Sequence, residues 1–417
     1  MAIQDSLLRR SVAEIIVEEE LTRLLERGKP LRLKQGFDPS CPDIHLGHVV
    51  GLKKLRQFQE MGHQVILIVG DWTAQIGDPS GESYTRRMLS AAEVSANAET
   101  YMKQFFKVVD KAKTEVRWQS EWLAKFNLTD IIELTTKFTV AQLLAREDFN
   151  RRYVAGRPIG LVELLYPLLQ AYDSVEICAD VEFGGIDQKF NCLMGRELQK
   201  IAGQPPQQIF LVPLLLGIDG SQKMSKSLDN YIGISEPPRE MYGKVMSIPD
   251  HLILDYFELV TDVPDKELEE LRDELHSQAV NPMIVKEHLA YEIVAEFCGS
   301  QAAQDASEHF SRVFQRREVP EEILPILFRV TKTGAIHFST SDGSLDTQVS
   351  SPPYPADILH ALGLAKSRSE ARRLISQGAV EFDGKRVAQA HCPIHNGMVI
   401  KVGKRRFVKL IEKQEGE

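Results

Sequence analysis

The chain carries two short clusters of the residue types that handle phosphates. In the first, Ser40-x-x-x-x-His45-Leu46-Gly47-His48, two imidazoles lie three residues apart at the expected start of a helix. At that spacing they share one face. They also stand beside free backbone N–H groups and the positive end of the helix dipole, a setting that favours a phosphate. Gly47 has no side chain, so a flat base could approach the backbone there. Taken alone, such a pair reads equally well as a cap or a surface pair. In the second cluster, Lys223-Met224-Ser225-Lys226-Ser227, two lysines sit on a loop behind Gly217 and Gly220. Such a loop can close over a polyphosphate and neutralise charge developing on a leaving group. A lone K-x-x-K is usually a solvated surface, but this one follows the last apolar strand, about 175 residues beyond the histidines.

A third constellation lies on the apolar stretch Leu164 to Ile177. Tyr166, Gln170 and Asp173 are four and three residues apart, so they share one helix face. A buried carboxylate needs partners, and a phenol hydroxyl from a ligand could be one. The plainer reading of Asp173 is a polar residue near a helix C-terminus. Asp78, in Gly77-Asp78-Pro79-Ser80-Gly81, is a turn former by type. His391-Cys392-x-x-His395 offers three metal-type ligands but no second pair at finger-like spacing, so no metal site is expected. Trp72, Trp118 and Trp122 read as packing residues.

The elements that must position these groups follow from periodicity. Residues 5–27 read as an amphipathic helix stopped by Gly28-Lys29-Pro30. A short strand (LRLKQGF), a helix from about His45 to Gly62 and a buried strand (VILIVG, 65–70) come next. That order makes a right-handed crossover and opens an α/β domain, placed at 1–232. VEF before Gly184-Gly185 and IFLVPLLL (209–216) fit the same parallel sheet, with helical patterns at 162–174 and 186–202. Residues 233–330 read as a separate helical domain without strands. The Ser-, Thr- and Gly-rich stretch 331–353 reads as a connector, and 354–417 as a compact helix–helix–strand–turn–strand tail with Asp383-Gly384 at its turn.

Composition bounds the class. The chain has 417 residues, 43% of them apolar and 26% charged, which excludes disorder and fibrous repeats. No apolar run approaches the roughly twenty residues of a membrane span. Acidic residues stand where an export signal would need an apolar core. Five scattered cysteines without a C-x-x-C pair suit reduced thiols and a cytoplasmic location. The net charge of −9 is uneven: residues 354–417 hold 12 Lys and Arg against 7 Asp and Glu, while the rest is strongly acidic. A basic tail on an acidic body fits a polyanion partner, and equally a merely solvated basic domain.

HLGH with KMSKS resembles the class I aminoacyl-tRNA synthetases. KQGFDPSCPDIHLGH, VGDWTAQIGDPSG, ELLYPLLQAYDSVEI and GGIDQKFN resemble, in order and spacing, segments of the bacterial tyrosyl-tRNA synthetases. The tail ILHALGLAKSRSEARRLISQGAVEFDGKRV resembles the S-four-type RNA-binding module that ends those enzymes. The resemblance implies a Rossmann-like catalytic domain, a helical anticodon-binding domain at 233–330 and a small α+β RNA-binding domain. It implies a homodimer that uses L-tyrosine, ATP with Mg2+ and tRNA(Tyr), with no tightly bound metal and no membrane. His45, His48, Lys223 and Lys226 would act on the phosphates. Asp38, Ser40, Gly47, Gly185, Asp187 and Met224 would complete the ATP site, with Gly185 and Asp187 at the ribose. Asp173 would accept the tyrosine hydroxyl, and Tyr166, Gln170 and Asp78 would face its ammonium, with Gln188 a further contact. Arg86 matches a basic loop residue, whereas Glu82 stands where lysine is common. Lys34 replaces a tyrosine of the best-known branch that also reaches the phenol, as it does in another bacterial branch. Lys366, Arg368, Arg372 and Arg373 would track tRNA phosphates. A tryptophan-specific relative, a synthetase-derived RNA-binding protein and a small-molecule nucleotidyltransferase are the rival readings.

Overall fold

The computed structural model describes residues 7–39, 43–79, 89–315, 324–331, 334–340, 343–387, 391–403 and 406–413. Ser40, Glu82 and Arg86 lie outside them. The chain divides into two compact units, one ending at Ser307 and one beginning at Glu308.

The first unit is built on six strands: β1 (Glu14–Ile16), β2 (Arg32–Phe37), β3 (Gln64–Val69), β4 (Thr114–Trp118), β5 (Val181–Gly185) and β6 (Gln208–Val212). Their order is β1-β6-β5-β2-β3-β4, with β2 to β6 parallel and β1 antiparallel on the edge. The chain lays β3 and β4 to one side of β2, then returns to lay β5 and β6 on the other. The winding therefore reverses between β2 and β5, and at such a switch point a crevice opens beyond the strands' carboxyl ends. Helices α1 (Glu18–Glu26), α2 (Leu46–Glu60), α3 (Ala91–Phe105), α4 (Leu161–Glu176) and α5 (Lys189–Ile201) connect or flank the strands.

The structure corrects three expectations. The helix expected over 5–27 is broken: Glu14–Ile16 pairs with β6 as Ile15 opposite Phe210, and only Glu18–Glu26 is helical. Val17 turns the chain at φ 61, because an open sheet edge competes successfully for an apolar Ile-Ile pair. The helical region after 232 falls in the same compact unit as the sheet, so the boundary expected at 232 is not a break between units. Its helices α6 (Pro238–Met246), α7 (Ile253–Val260), α8 (Asp265–His276) and α9 (Pro282–Cys298) belong to the first unit, and α10 (Ser300–Phe310) follows. Arg10 donates to the carbonyls of Phe257, Glu258, Thr261 and Val263 at the end of α7, and Lys53 of α2 pairs with Asp262 and Glu296 at 3.0 Å. Tyr256 binds the Leu216 carbonyl at 2.7 Å.

The third correction concerns the connector. Residues 324–330 and two segments within 331–353 are strands, β7 (Leu324–Val330), β8 (Ile336–Ser339) and β9 (Asp346–Val349). They join β10 (Val380–Phe382), β11 (Lys385–Arg386), β12 (Val399–Val402) and β13 (Arg406–Glu412) in one sheet ordered β11-β10-β12-β13-β7-β8-β9. The alternation in AIHFS is the signal that composition masks: Ile336 and Phe338 point into the core beside Ile326 and Phe328. Gly334 and Gly343, at φ 80 and 72, belong to the turns of this meander. Helices α11 (Pro355–Ala361) and α12 (Arg368–Ser376) close the core through Ile358, Leu359, Ala371 and Ile375. Asp383 and Gly384, both at positive φ, form the expected hairpin turn.

These boundaries say where the chain can be cut. A protein ending at Gln315 should unfold cooperatively within about 5 °C of the full chain's first-unit transition. One ending at Val349 keeps β7 to β9 without β13 and should aggregate. Circular dichroism melts with light scattering check both.

Candidate active site

One cavity of about 990 Å³ occupies the switch-point crevice. It collects residues from stretches far apart in the sequence. After β2 it takes Asp38, from the start of α2 His45, Gly47 and His48, and from the turn after β3 Asp78. From α4 it takes Tyr166, Gln170 and Asp173, from the end of β5 Gly185, Asp187 and Gln188, and from the later loop Lys223 and Met224. Two expected residues are not on its surface. Lys34 is fully buried behind it and spends its ammonium on Gln170, Ser174 and Glu182. Lys226 donates instead to the Asp43 carbonyl.

At the histidine end, the backbone N–H of His45 donates to His48 Nδ1 at 3.3 Å. That bond leaves His48 neutral with its proton on Nε2, a hydrogen-bond donor. Burial and the Lys226 ammonium push the His48 pKa down to about 4, and burial with His48 holds His45 far below its ordinary range. The two rings lie 3.9 Å apart. Gly47 suits this packing, since a Cβ there would crowd the His45 ring at 3.0 Å. Positive charge therefore comes from the lysine loop rather than the imidazoles. Lys223 reaches Asp187 at 3.0 Å. Buried Asn230 holds the loop from beneath, donating to the Lys223 carbonyl and accepting from the Ser225 N–H at 2.7 Å.

At the other end, Asp173 accepts from Gln119 Nε2 at 2.8 Å and from Trp122 Nε1 at 3.0 Å. Burial pushes its pKa up to about 7, against the opposing pull of Lys34 and these two donors. Asp38 is likewise raised to about 7 by burial, although Thr73 (2.6 Å) and Tyr166 (2.8 Å) both donate to it. Gln119 Oε1 also accepts from the Thr73 N–H, so a chain of bonds joins the two carboxyls. Asp78 accepts from Gln188 at 2.6 Å and Arg146 at 3.2 Å, and Asn191 links those two in turn.

Sequence reasoning misses Thr73, Gln119, Trp122, Arg146, Asn191 and Glu182. Trp122 reads as packing by type, yet its indole N–H orients the central carboxylate. The available signal is position: Gln119 and Trp122 follow directly on the carboxyl end of β4. Among the expected tail residues, Lys366, Arg368, Arg372 and Arg373 are all exposed, on α12 and its approach. The metal-like trio is otherwise engaged: His395 bonds Asp383 at 2.8 Å and the His391 ring lies on Tyr354.

Both raised carboxyls bind protons more readily folded than unfolded. The stability they contribute is present below the ordinary aspartate value of about 4 and is lost as pH rises to about 7. Carbon-13 NMR should therefore find two carboxyl groups titrating near pH 7 in the free protein. Asp38→Asn should remove one of them and Asp173→Asn the other.

Comparison with known proteins identifies the family. A family model for class I tRNA synthetases (W and Y) matches residues 26–315, and an S4 domain model matches 356–400. A tyrosine–tRNA ligase of Dehalococcoides mccartyi strain CBDB1 is 57% identical over 408 residues, covering 98% of both chains. The Moorella thermoacetica enzyme of that name is 50% identical over 416 residues, covering 98% of this chain and 96% of its own. The fold also resembles the solved tyrosyl-tRNA synthetase of Archaeoglobus fulgidus, with a TM-score of 0.59 at 24% identity, over 73% of this chain and 99% of that one. A truncated mitochondrial tyrosyl-tRNA synthetase of Aspergillus nidulans gives 0.62 at 20% identity, over 75% and 94%. With identity of this order along nearly its whole length, and the histidine and lysine signatures meeting in one crevice, the chain belongs to the bacterial tyrosyl-tRNA synthetases, the tyrosine–tRNA ligases of class I.

Proposed function

We propose that this cavity joins L-tyrosine to MgATP and that the adenylate then loads tRNA(Tyr). The observation that carries the reading is that one crevice holds His48, Lys223 and Asp173 together. The tyrosine carboxylate attacks the α-phosphorus, pyrophosphate leaves, and the terminal ribose hydroxyl of tRNA later attacks the adenylate's carbonyl, releasing AMP. This chemistry needs positioning and electrostatics, and no acid–base pair or protein nucleophile. Asp173, already held by Gln119 and Trp122, has oxygen lone pairs left to accept a phenol O–H. Asp78, Tyr166 and Gln170 suit the ammonium, while Gly185 and Asp187 suit the ribose. Neutral His48 donates to a phosphate, as His45 beside it would, and Lys223 balances charge on the leaving pyrophosphate. Lys226 would join it once the loop gives up the Asp43 carbonyl.

The finer assignments rest on separate features. Exposed Lys366, Arg368, Arg372 and Arg373 suit a phosphate backbone, and α6 to α9 are proposed to meet the anticodon arm. A homodimer is favoured by apolar side chains left open to water between 128 and 161. Leu128 is 75% exposed, Val154 78% and Leu161 83%, and a stretch of this kind marks an interface. No helix among the described residues is long and apolar enough to cross a membrane, and a cytoplasmic location is proposed.

ATP–pyrophosphate exchange tests the chemistry. Tyrosine should drive it, and phenylalanine should fall short by a factor of about 10⁴ or more, a discrimination known for tyrosyl-tRNA synthetases as a class and carried over from them. Its cause is that the analogue leaves buried polar groups unpaired. Lys223→Ala should slow adenylate formation in single turnovers while leaving tyrosine affinity within about twofold. A chain ending at Gln315 should keep exchange yet charge tRNA poorly. Equal rates with phenylalanine, or exchange driven by tryptophan, would defeat the assignment.

Sedimentation tests the assembly. The unmodified chain should run as a dimer at micromolar concentration, and Leu161→Asp should shift it towards monomer.

A further inference from the structure

Behind the cavity, between β2, β5, α4 and α5, a group of polar side chains is sealed from water around one ion pair. The side chains of Lys34 and Glu182 are 0% and 1% exposed, with Nζ and Oε1 2.9 Å apart. The other two ammonium protons go to Ser174 Oγ at 2.7 Å and to the main-chain carbonyl of Gln170 at 2.9 Å. An ammonium has three donors, so Lys34 has none left for a ligand. Glu182 also accepts from Gln207 Nε2, from Ser174 at 3.3 Å and from Gln170 Nε2 at 3.2 Å. Gly195 of α5 faces the same cluster, where a Cβ would come within 2.9 Å of Ser174 Oγ.

Burying two charges is costly, and a well-packed apolar pair in their place is often as stable or more so. A pair set directly under a binding surface therefore needs a reason other than stability. The reason lies in what a carboxylate can do, which is accept and never donate. Facing Glu182, the Gln170 amide must present its NH2. Its carbonyl oxygen is then the end left to meet a donor in the cavity that Gln170 lines. Without Lys34, Glu182 would be an uncompensated buried charge or would take up a proton. A protonated partner could donate, and the amide could turn over.

We propose that Lys34 and Glu182 are positioning residues that fix the polarity of the Gln170 amide, so that the site selects for a ligand's α-ammonium without either residue touching it. This rests on the reading that tyrosine lies with its ammonium towards Gln170.

The test compares two ligands by calorimetry on the full chain. One is tyrosine, and the other is 3-(4-hydroxyphenyl)propanoate, the same molecule without the ammonium. In Lys34→Met and Glu182→Gln, tyrosine affinity should fall about tenfold or more, while the propanoate changes less than about twofold. Lys34→Met with Glu182→Met removes both charges and keeps the volume, so it carries the test should either single change fail to fold, and it should show the same split. Equal losses for both ligands, or no loss for either, would overturn the proposal and leave the pair a purely structural one. If the unmodified chain binds the two ligands equally, the reading of the cavity itself fails, and the proposal with it.

Discussion

The reversal of winding between β2 and β5 is the constraint on which the rest of the site depends. Because neighbouring strands there lead away in opposite directions, no connection crosses the gap, and side chains from distant segments fill it. Asp38 leaves β2, Gly185 and Asp187 leave β5, and α4 lies alongside to supply Tyr166, Gln170 and Asp173. The crevice is deep enough that two aspartates lose much of their hydration, which is why both are held near neutrality. Their hydrogen-bond donors offset part of that cost and also fix where the carboxyl oxygens point.

Much of this was legible from residue types and spacing. The apolar runs of β3, β5 and β6, the glycine-marked strand ends and the four-and-three spacing on α4 identify the sheet and the cavity-facing helix side directly. What escaped was of two kinds. Short strands are the harder kind: β1 is a lone Ile-Ile pair made by its partner edge, and the alternation of β8 is masked by the Ser, Thr and Gly around it. The residues that orient the site from behind, such as Gln119, Trp122 and Arg146, belong to common types in segments with no motif. Only the fold brings them to the carboxylates they serve.

Lys34 shows how position in a motif can mislead. It stands where resemblance puts a group that touches the ligand, and it points into the protein instead. A long flexible chain on a central strand reaches whichever acceptor is nearest, and on β5 the neighbouring residue Glu182 is an acid. Strand register, which pairs Lys34 with Glu182 across β2 and β5, made that contact.

The pairing of Lys223 with Asp187 has a consequence for the company the site keeps. Cells are crowded with small phosphate-bearing ions, and a cleft lined with bare lysines would be occupied by them. Here the two nearby histidines carry no charge, and the ammonium is already answered by a carboxylate at 3.0 Å. A free phosphate must break that contact while offering Asp187 nothing in return. A nucleotide brings sugar hydroxyls that can occupy the carboxylate as its phosphates take the lysine. A molecule that carries both groups can satisfy the two sides of this contact at once, where a lone inorganic anion can satisfy only one.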